Sequence, residues 1–273
     1  RNAVFVELTA TIVHRDEDGN PVSTEKLREF GGSVAVSVPY ERPASLEGQQ
    51  IVACHIADDG TVTYFPARYE NGTVTFTTTH FSVFAVVESR AAAFEDVDIR
   101  TWYMQGIEFS VQNGLMNGVS ATAFGPELPT SRAMIVTILY RLEGEPAVSG
   151  NAFTDVAAGA YYADAIAWAA ANGIVTGYGD GRFGPNDTIT REQMATMLDR
   201  YAAYKGYSVT SSGSLSGYGD AAQVSAYAEE AMAWANGANL VTGTTATTLS
   251  PRGSATRAQV ATILMRFAGS FAR

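Results

Sequence analysis

The sequence predicts a multi-domain α+β protein, in which a small antiparallel β-sandwich or meander precedes three consecutive helical repeats. Short runs rich in Val, Ile, Thr, Tyr and Phe, separated by turn residues, fill residues 1–89. After the junction at 90–93, alanine, glycine and helical spacing replace these strand signals. Three motifs then recur in the same order with a period of about 59 to 66 residues, which indicates a repeat architecture.

The N-terminal part contains six strand-like runs, at 4–13, 34–38, 51–56, 62–65, 74–78 and 82–87. Asp58-Asp59-Gly60 and the Asn71-Gly72 pair lie between such runs and are typical of tight hairpin turns. Because these turns join neighbouring strands, an antiparallel arrangement is favoured.

The repeated motifs define three copies. The first motif, Phe-Glu-Asp-Val at 94–97, returns at 153–156 and more weakly at 218–221. The second, Asn-Gly-Leu-Met-Asn-Gly at 113–118, returns at 172–177 and 238–243, and the third, Thr-Ser-Arg-Ala at 130–133, returns at 189–192 and 255–258. We therefore predict a β domain at 1–89 and repeats at 90–148, 149–213 and 214–273, with a polar linker at 208–214.

Each copy carries signals for two helices. In the second copy, an alanine-rich stretch at 161–171 ends at a glycine stop, Asn172-Gly173. Thr190 and Gln193 then have the form of a capping box that opens a second helix. The third copy repeats this box at positions 256 and 259, whereas in the first copy position 134 is Met, so Ser131 must cap alone.

Composition excludes several classes of function. A net charge of −10 argues against nucleic acid as a partner, because phosphate binding requires a basic face. Cys54 is the single cysteine and is expected to be a buried strand residue, so no internal disulfide can form. We expect no membrane insertion, catalytic group, metal site or cofactor, because no long apolar run, paired histidines or catalytic motif is found. The chain begins on strand-like sequence, and we interpret it as a fragment, truncated at its N-terminus, of a longer processed protein.

The order of motifs resembles the S-layer homology domain, in three tandem copies over about residues 94–269. The resemblance implies that the copies form a pseudo-threefold, all-α unit with a central helical bundle. It also implies that grooves between the copies bind secondary cell-wall polysaccharide attached to peptidoglycan, often with ketal-linked pyruvate. The expected location is extracellular, at the cell wall or S-layer of a Gram-positive bacterium, with surface-layer proteins as possible neighbours.

Three arginines stand just after the predicted N-caps: Arg132, Arg191 and Arg257. The helix dipole disfavours a cation there, so an arginine beside free backbone N–H groups suggests an anion site. The guanidinium fork suits a carboxylate, such as that of a pyruvate ketal. The alternative is that each arginine pairs with an acidic residue of its own or the next copy.

Other repeated positions complete the expected groove. The first-motif aspartates would lie near the arginines or act as caps, the glycines would set backbone shape, and the aromatic residues that open the first helices would stack on sugar rings. The second aromatic column, Phe109, Trp168 and Trp234, is expected in the core. The predicted ligand-binding set comprises Arg132, Arg191, Arg257, Asp96, Asp155, Asp220, Trp102, Tyr161, Tyr227, Gly118, Gly177, Gly243, Ser131, Thr190 and Thr256.

The three copies are predicted to differ in their ability to bind the ligand. The third has Asn239 in place of glycine and Leu249-Ser250-Pro251 in place of Phe-x-Pro, so a groove lined by the second copy is the best candidate. Non-covalent anchoring to the wall is the leading functional hypothesis. Two alternatives stay open: a scaffold for protein assembly, which would tolerate Arg191→Ala, and the anchoring fragment of a larger surface hydrolase.

Overall fold

A computed structural model describes residues 3–27, 29–44, 49–150, 153–209 and 213–271, and these form two compact units. The first unit comprises residues 1–108 and 118–124, and the second comprises residues 109–117 and 125–273. Residues of the first repeat therefore belong to both units. The predicted linker at 208–214 lies partly outside the described residues, which omit 210–212.

Antiparallel strands dominate the first unit. Their bounds are β1 (Val4–Glu7), β2 (Ala10–Arg15), β3 (Pro21–Leu27), β4 (Glu29–Pro39), β5 (Gln50–Ile56), β6 (Val62–Glu70), β7 (Thr73–His80) and β8 (Val83–Ser89). Six of them form one sheet in the order β1-β8-β5-β6-β7-β4, and β2 and β3 form a separate two-stranded sheet. Of the predicted sandwich or meander, the sandwich is wrong, because the β2–β3 hairpin is exposed along nearly its whole length and forms no second buried layer. The strands β5, β6 and β7 are neighbours in chain order, as in a meander.

The sheet buries one apolar cluster, centred on Val74, Phe76, Phe84 and Val86. The β6–β7 hairpin turns at Asn71 and Gly72, whose φ angles of 49° and 77° are those of the tight turn that the sequence predicts. In β5, Cys54 is buried as expected, and desolvation raises the pKa of its thiol.

Each repeat contributes two helices, as the motifs predict. They are α1 (Met104–Gln112), α2 (Arg132–Leu142), α3 (Ala163–Ala171), α4 (Arg191–Tyr204), α5 (Glu229–Gly237) and α6 (Arg257–Phe271). The capping box at Thr190 is confirmed, and so is the lone cap at Ser131, whose hydroxyl accepts the N–H of Met134 at 3.3 Å. No helix in the described residues has the length and apolarity that crossing a bilayer requires.

The prediction of an all-α unit with a central helical bundle is wrong. In the described residues the six helices are short and only about 30% of the structure is helical. Isolated antiparallel backbone bridges also join the repeats. Thr130 N–H donates to Ala255 C=O at 3.0 Å, Ala255 N–H to Ile189 C=O at 3.1 Å, and Ile189 N–H to Thr130 C=O at 2.9 Å. All three residues are fully buried, so this closed ring pairs polar groups that water cannot reach.

Candidate functional site

The N-terminus of each second helix is closed by a loop of the next repeat. The N–H of Arg132 donates to Asp187 C=O at 2.9 Å, and that of Arg191 donates to Gly253 C=O at 3.0 Å. The N–H of Arg257 donates in the same way to Leu128 C=O at 2.9 Å, so the contacts run from each repeat to the next in a cycle. The argument from free helix N–H groups is therefore wrong at these positions, because loop carbonyls already occupy them.

The arginine side chains follow the same cyclic pattern. Arg132 Nε donates to Phe183 C=O at 2.9 Å and Arg191 Nε to Leu249 C=O at 3.0 Å. A second donor, Nη2, reaches Thr242 C=O from Arg191 and Asn117 C=O from Arg257. Within the described ranges, neither Arg132 nor Arg191 forms an ion pair. Both therefore bind the backbone of the next repeat instead of the acidic partner that the alternative interpretation expected.

The aspartates of the first motif accept hydrogen bonds from the same loops to which the arginine side chains donate. Asp155 accepts the N–H groups of Phe183 and Gly184, each at 2.8 Å. Asp220 accepts the equivalent pair at 249 and 250, and Asp96 accepts the N–H of Phe124 at 2.7 Å. The backbone of Phe183 in the second repeat is thus held through its N–H by Asp155 and through its C=O by Arg132.

We expect low pH to destabilise the loop at Phe183 and Gly184. Burial alone would raise the pKa of Asp155, but hydrogen bonds from Phe183 and Gly184 hold the pKa below its usual range. The stabilisation is complete above the ordinary carboxyl pKa of about 4 and is lost as the pH falls through the lowered value.

We expect Asp155→Asn to lower the midpoint of thermal unfolding by about 2–4 °C at neutral pH. We also expect the variant to lose less stability than the parent between neutral pH and about pH 3, since it lacks the titrating carboxylate. Calorimetry across this pH range measures both effects. Equal acid sensitivity of the two proteins would contradict this role for Asp155.

The repeated glycines make room for the first aromatic residue of each copy. A Cβ on Gly177 would lie 2.5 Å from Phe153 Cε1 and 2.5 Å from Arg182 O, and its φ is +67°. A Cβ on Gly118 would meet Phe94 at 2.6 Å, and one on Gly243 would meet Tyr218 at 2.6 Å. The glycines are therefore required by packing as well as by backbone shape.

Gly177→Ala should destabilise the protein by about 2–4 kcal/mol, because a left-handed backbone strain and a steric overlap add. Gly173→Asn is the matched control: its φ is +70°, nothing lies within 4 Å, and the third copy has Asn239 there with a φ of 56°. Urea denaturation should show little change for the control. A small effect of Gly177→Ala would mean that the Phe153 ring can move away.

A pocket of about 310 Å³ lies in the second unit and is lined mainly by the second repeat. Its lining includes two arginines, Arg132 and Arg200, and two tyrosines, Tyr178 and Tyr227. The rest of its lining is formed by residues 174–177, Gln193, Thr196 and Met197.

The guanidinium groups of this pocket differ from their counterparts elsewhere. Among the described residues, the Nη atoms of Arg132 and all nitrogens of the Arg200 guanidinium donate no side-chain hydrogen bond. The residues at the position of Arg200 in the other copies, by contrast, bind carbonyls. Arg141 donates to Leu115 C=O at 3.1 Å, and Arg266 donates to Asn239 C=O at 3.3 Å. In the described part of the chain, these two lining arginines therefore keep guanidinium N–H groups without a hydrogen-bond acceptor.

Aromatic rings surround the Arg132 guanidinium, which lies 4.6 Å from the Tyr178 ring centre and 4.7 Å from that of Phe183. Desolvation lowers the pKa of Arg132, although Tyr178 and Asp187 oppose the shift. A cation that has already lost much of its water binds an anion more strongly than a fully hydrated one does.

Both phenols are hydrogen-bonded to carboxylates and stay protonated at neutral pH. Tyr178 donates to Asp187 at 2.9 Å, and Tyr227 donates to Glu192 at 3.2 Å. Burial, followed by the charge of Glu192, raises the pKa of Tyr227 to about 12. The two side chains are 43% and 56% exposed, so ring surface stays available to a ligand.

Besides Arg132, the predicted residues Gly177 and Tyr227 line the pocket, and the others lie elsewhere. Of the first aromatic column, only Tyr227 lines the pocket, while Trp102 and Tyr161 are exposed and pack edge-to-face against the tyrosines that follow them. The hydroxyls of Ser131, Thr190 and Thr256 accept helix N–H groups as caps. In the second column, Trp168 and Trp234 are buried as expected, and Phe109 is partly buried.

Eight of the eleven residues that line the pocket are absent from the predicted ligand-binding set. Arg200, Thr196 and Met197 have counterparts in every copy, so nothing in the sequence distinguished them. Tyr178 did carry a signal, since the first copy has Val119 and the third has Thr244 at its position. A residue that differs only in the copy lining the pocket could have been identified from the repeat alignment.

Comparison with known proteins identifies the family. Residues 93–133, 152–195 and 217–261 match the model of the S-layer homology domain, and the 93–261 region belongs to that family. Such domains are non-catalytic modules that anchor surface proteins to the cell wall, so this region is extracellular, at the wall or S-layer.

The relatives are long surface proteins and hydrolases. The chain is 32% identical to an amylopullulanase from Thermoanaerobacterium thermosulfurigenes over 71% of its own length and 10% of that protein. It is 33% identical to an endoglucanase of Bacillus sp. (strain KSM-635) over 65% of this chain and 19% of that protein. A surface-layer 125 kDa protein of Lysinibacillus sphaericus is 35% identical over 39% of this chain and 10% of its own length. The chain thus spans only a tenth to a fifth of these relatives.

Proposed function

We propose that this chain anchors a surface protein to the Gram-positive wall by binding a pyruvylated secondary polysaccharide in the pocket at Arg132. The single observation that carries the proposal is the pair of guanidinium groups on Arg132 and Arg200, whose Nη atoms donate to no carbonyl of the described residues. Their counterparts at 191, 257, 141 and 266 all bind backbone oxygens.

The chemistry of the pocket suits an anionic sugar. A ketal-linked carboxylate would accept hydrogen bonds from the Arg132 Nη atoms, in a site where the guanidinium is already largely desolvated. The Tyr227 ring would pack against the sugar, and Arg200 would contribute a second positive charge. A volume of about 310 Å³ is at the lower end for ligand sites, and accommodates about one substituted sugar residue.

Titration calorimetry with a defined sugar tests the proposal. The probe is a hexose methyl glycoside that carries one ketal-linked pyruvate, and the control is the same glycoside without pyruvate. We expect binding of the pyruvylated probe alone, weakening as salt is raised, since charge attraction supplies much of the affinity. Equal binding of the two glycosides would refute carboxylate recognition.

A second candidate concerns the protein from which this segment comes. Several relatives are named as hydrolases, including the amylopullulanase and the endoglucanase. We propose that the segment serves as the anchor of a larger surface protein, with any catalytic region outside the 273 residues. Mass spectrometry of the intact protein extracted from walls would test this, and a mature protein limited to this segment would exclude it.

A further inference from the structure

Glu192 is a buried carboxylate that the repeat itself does not require. It lies in the first turn of α4, is 4% exposed, and is replaced by Ala133 and Ala258 at the equivalent positions of the other copies. Since both alanines lie in the first turn of complete helices, the repeat does not require a carboxylate at this position.

All the donors to this side chain in the described part come from the third repeat. Ser225 N–H donates to Oε2 at 2.9 Å, Ser225 Oγ donates to Oε1 at 2.8 Å, and Tyr227 O–H donates to Oε1 at 3.2 Å. Burying a carboxylate is costly unless hydrogen bonds replace its water, and three donors satisfy that need. Glu192 thus holds the turn at Ser225 and Tyr227 against α4.

This contact sets the position of one wall of the pocket. The phenol O–H of Tyr227 is used by Glu192, so the side chain offers its ring, rather than its hydroxyl, to a ligand. Arg132 and Tyr178 interact electrostatically with Tyr227 from other parts of the same pocket, whereas Glu192 supplies its hydrogen bond. An aromatic ring held in one orientation loses less entropy on binding than a mobile one.

We propose that Glu192 is a positioning residue, which fixes Tyr227 across the contact between the second and third repeats and so shapes the pocket for its sugar. The part of this inference that concerns affinity rests on the proposed function. The part that concerns the position of Tyr227 rests only on the three hydrogen bonds.

The test compares Glu192→Ala, Glu192→Gln and Glu143→Ala with the parent chain. Alanine is the residue that both other repeats have, so we expect Glu192→Ala to fold. Glutamine keeps an oxygen acceptor for Tyr227 and should restore most of the affinity. Glu143→Ala is the matched control, because Glu143 accepts a hydrogen bond from Tyr201 at 2.6 Å and lines no part of the pocket.

Two readouts separate positioning from stability. In NMR titrations of ¹³Cζ-labelled tyrosine, with the Tyr227 signal assigned from Tyr227→Phe, Glu192→Ala should lower the pKa of Tyr227 from its raised value. With the pyruvylated glycoside, Glu192→Ala should weaken binding about 3- to 10-fold, and Glu143→Ala should leave it unchanged.

The outcomes are distinguishable. An unchanged pKa of Tyr227 in Glu192→Ala would overturn the positioning role. A lowered pKa with unchanged affinity would overturn its relevance to the ligand while leaving the proposed function intact. If the parent chain fails to bind the glycoside, the proposed function and the ligand part of the inference fall together, and the NMR titration still decides the positioning role.

Discussion

Arg132→Ala is expected to weaken binding of the pyruvylated glycoside about 10- to 100-fold. A hydrogen bond between two charged groups contributes about 1.5–3 kcal/mol, and loss of the guanidinium removes the fork that we assign to the ligand carboxylate. Calorimetric titration measures the affinity, and circular dichroism checks that the variant is folded at the same temperature.

Arg132→Lys is the more selective control. Lysine keeps the charge but has no planar fork, so we expect an affinity between those of the parent and the alanine variant. Arg182→Ala is a neutral control, because Arg182 forms an exposed ion pair with Asp180 outside the pocket. If Arg132→Ala binds as tightly as Arg182→Ala, the anion site has been assigned to the wrong residue.

Arg191→Ala should instead lower the free energy of unfolding by about 3–5 kcal/mol. Its Nε and Nη2 donate to the carbonyls of Leu249 and Thr242, so the substitution leaves two acceptors of the third repeat without these donors. An unsatisfied buried group costs about 1–3 kcal/mol, and loss of the packed side chain adds to this. Chemical denaturation measures the change.

The alanine variants should therefore differ: Arg132→Ala should mainly lower the affinity for the glycoside, and Arg191→Ala should mainly lower the stability. At a temperature where Arg191→Ala is still folded, its affinity for the glycoside should stay within about twofold of the parent value, because Arg191 does not line the pocket. A stable Arg191→Ala protein that no longer binds would show that the ligand site lies at Arg191.

Local features of the fold could be predicted from the sequence, but contacts between repeats could not. The Asn71-Gly72 turn and the Thr190 cap depend on residues within a few positions of one another. The ring of hydrogen bonds through Thr130, Ile189 and Ala255 joins positions about a whole repeat apart, and backbone groups leave no side-chain signature. The all-α prediction failed for that reason.

The residues of the candidate site were also hard to predict from the sequence, because their roles depend on contacts between repeats. The repeated arginines are equivalent in sequence, yet Arg191 donates a hydrogen bond to Thr242 C=O, whereas Arg132 lines the pocket. Only the three-dimensional contacts of each guanidinium separate these roles. Departures from the repeat, such as Glu192 and Tyr178, were the sequence signal that could have located the pocket.

Co-sedimentation with purified Gram-positive walls tests the central claim most directly. The parent chain, Arg132→Ala and Arg182→Ala are compared on walls before and after chemical removal of the secondary polymer. We predict that the parent and Arg182→Ala sediment with untreated walls only, and that Arg132→Ala stays largely in solution with both. Binding that survives removal of the polymer, or that is unaffected by Arg132→Ala, would contradict polysaccharide anchoring at this pocket.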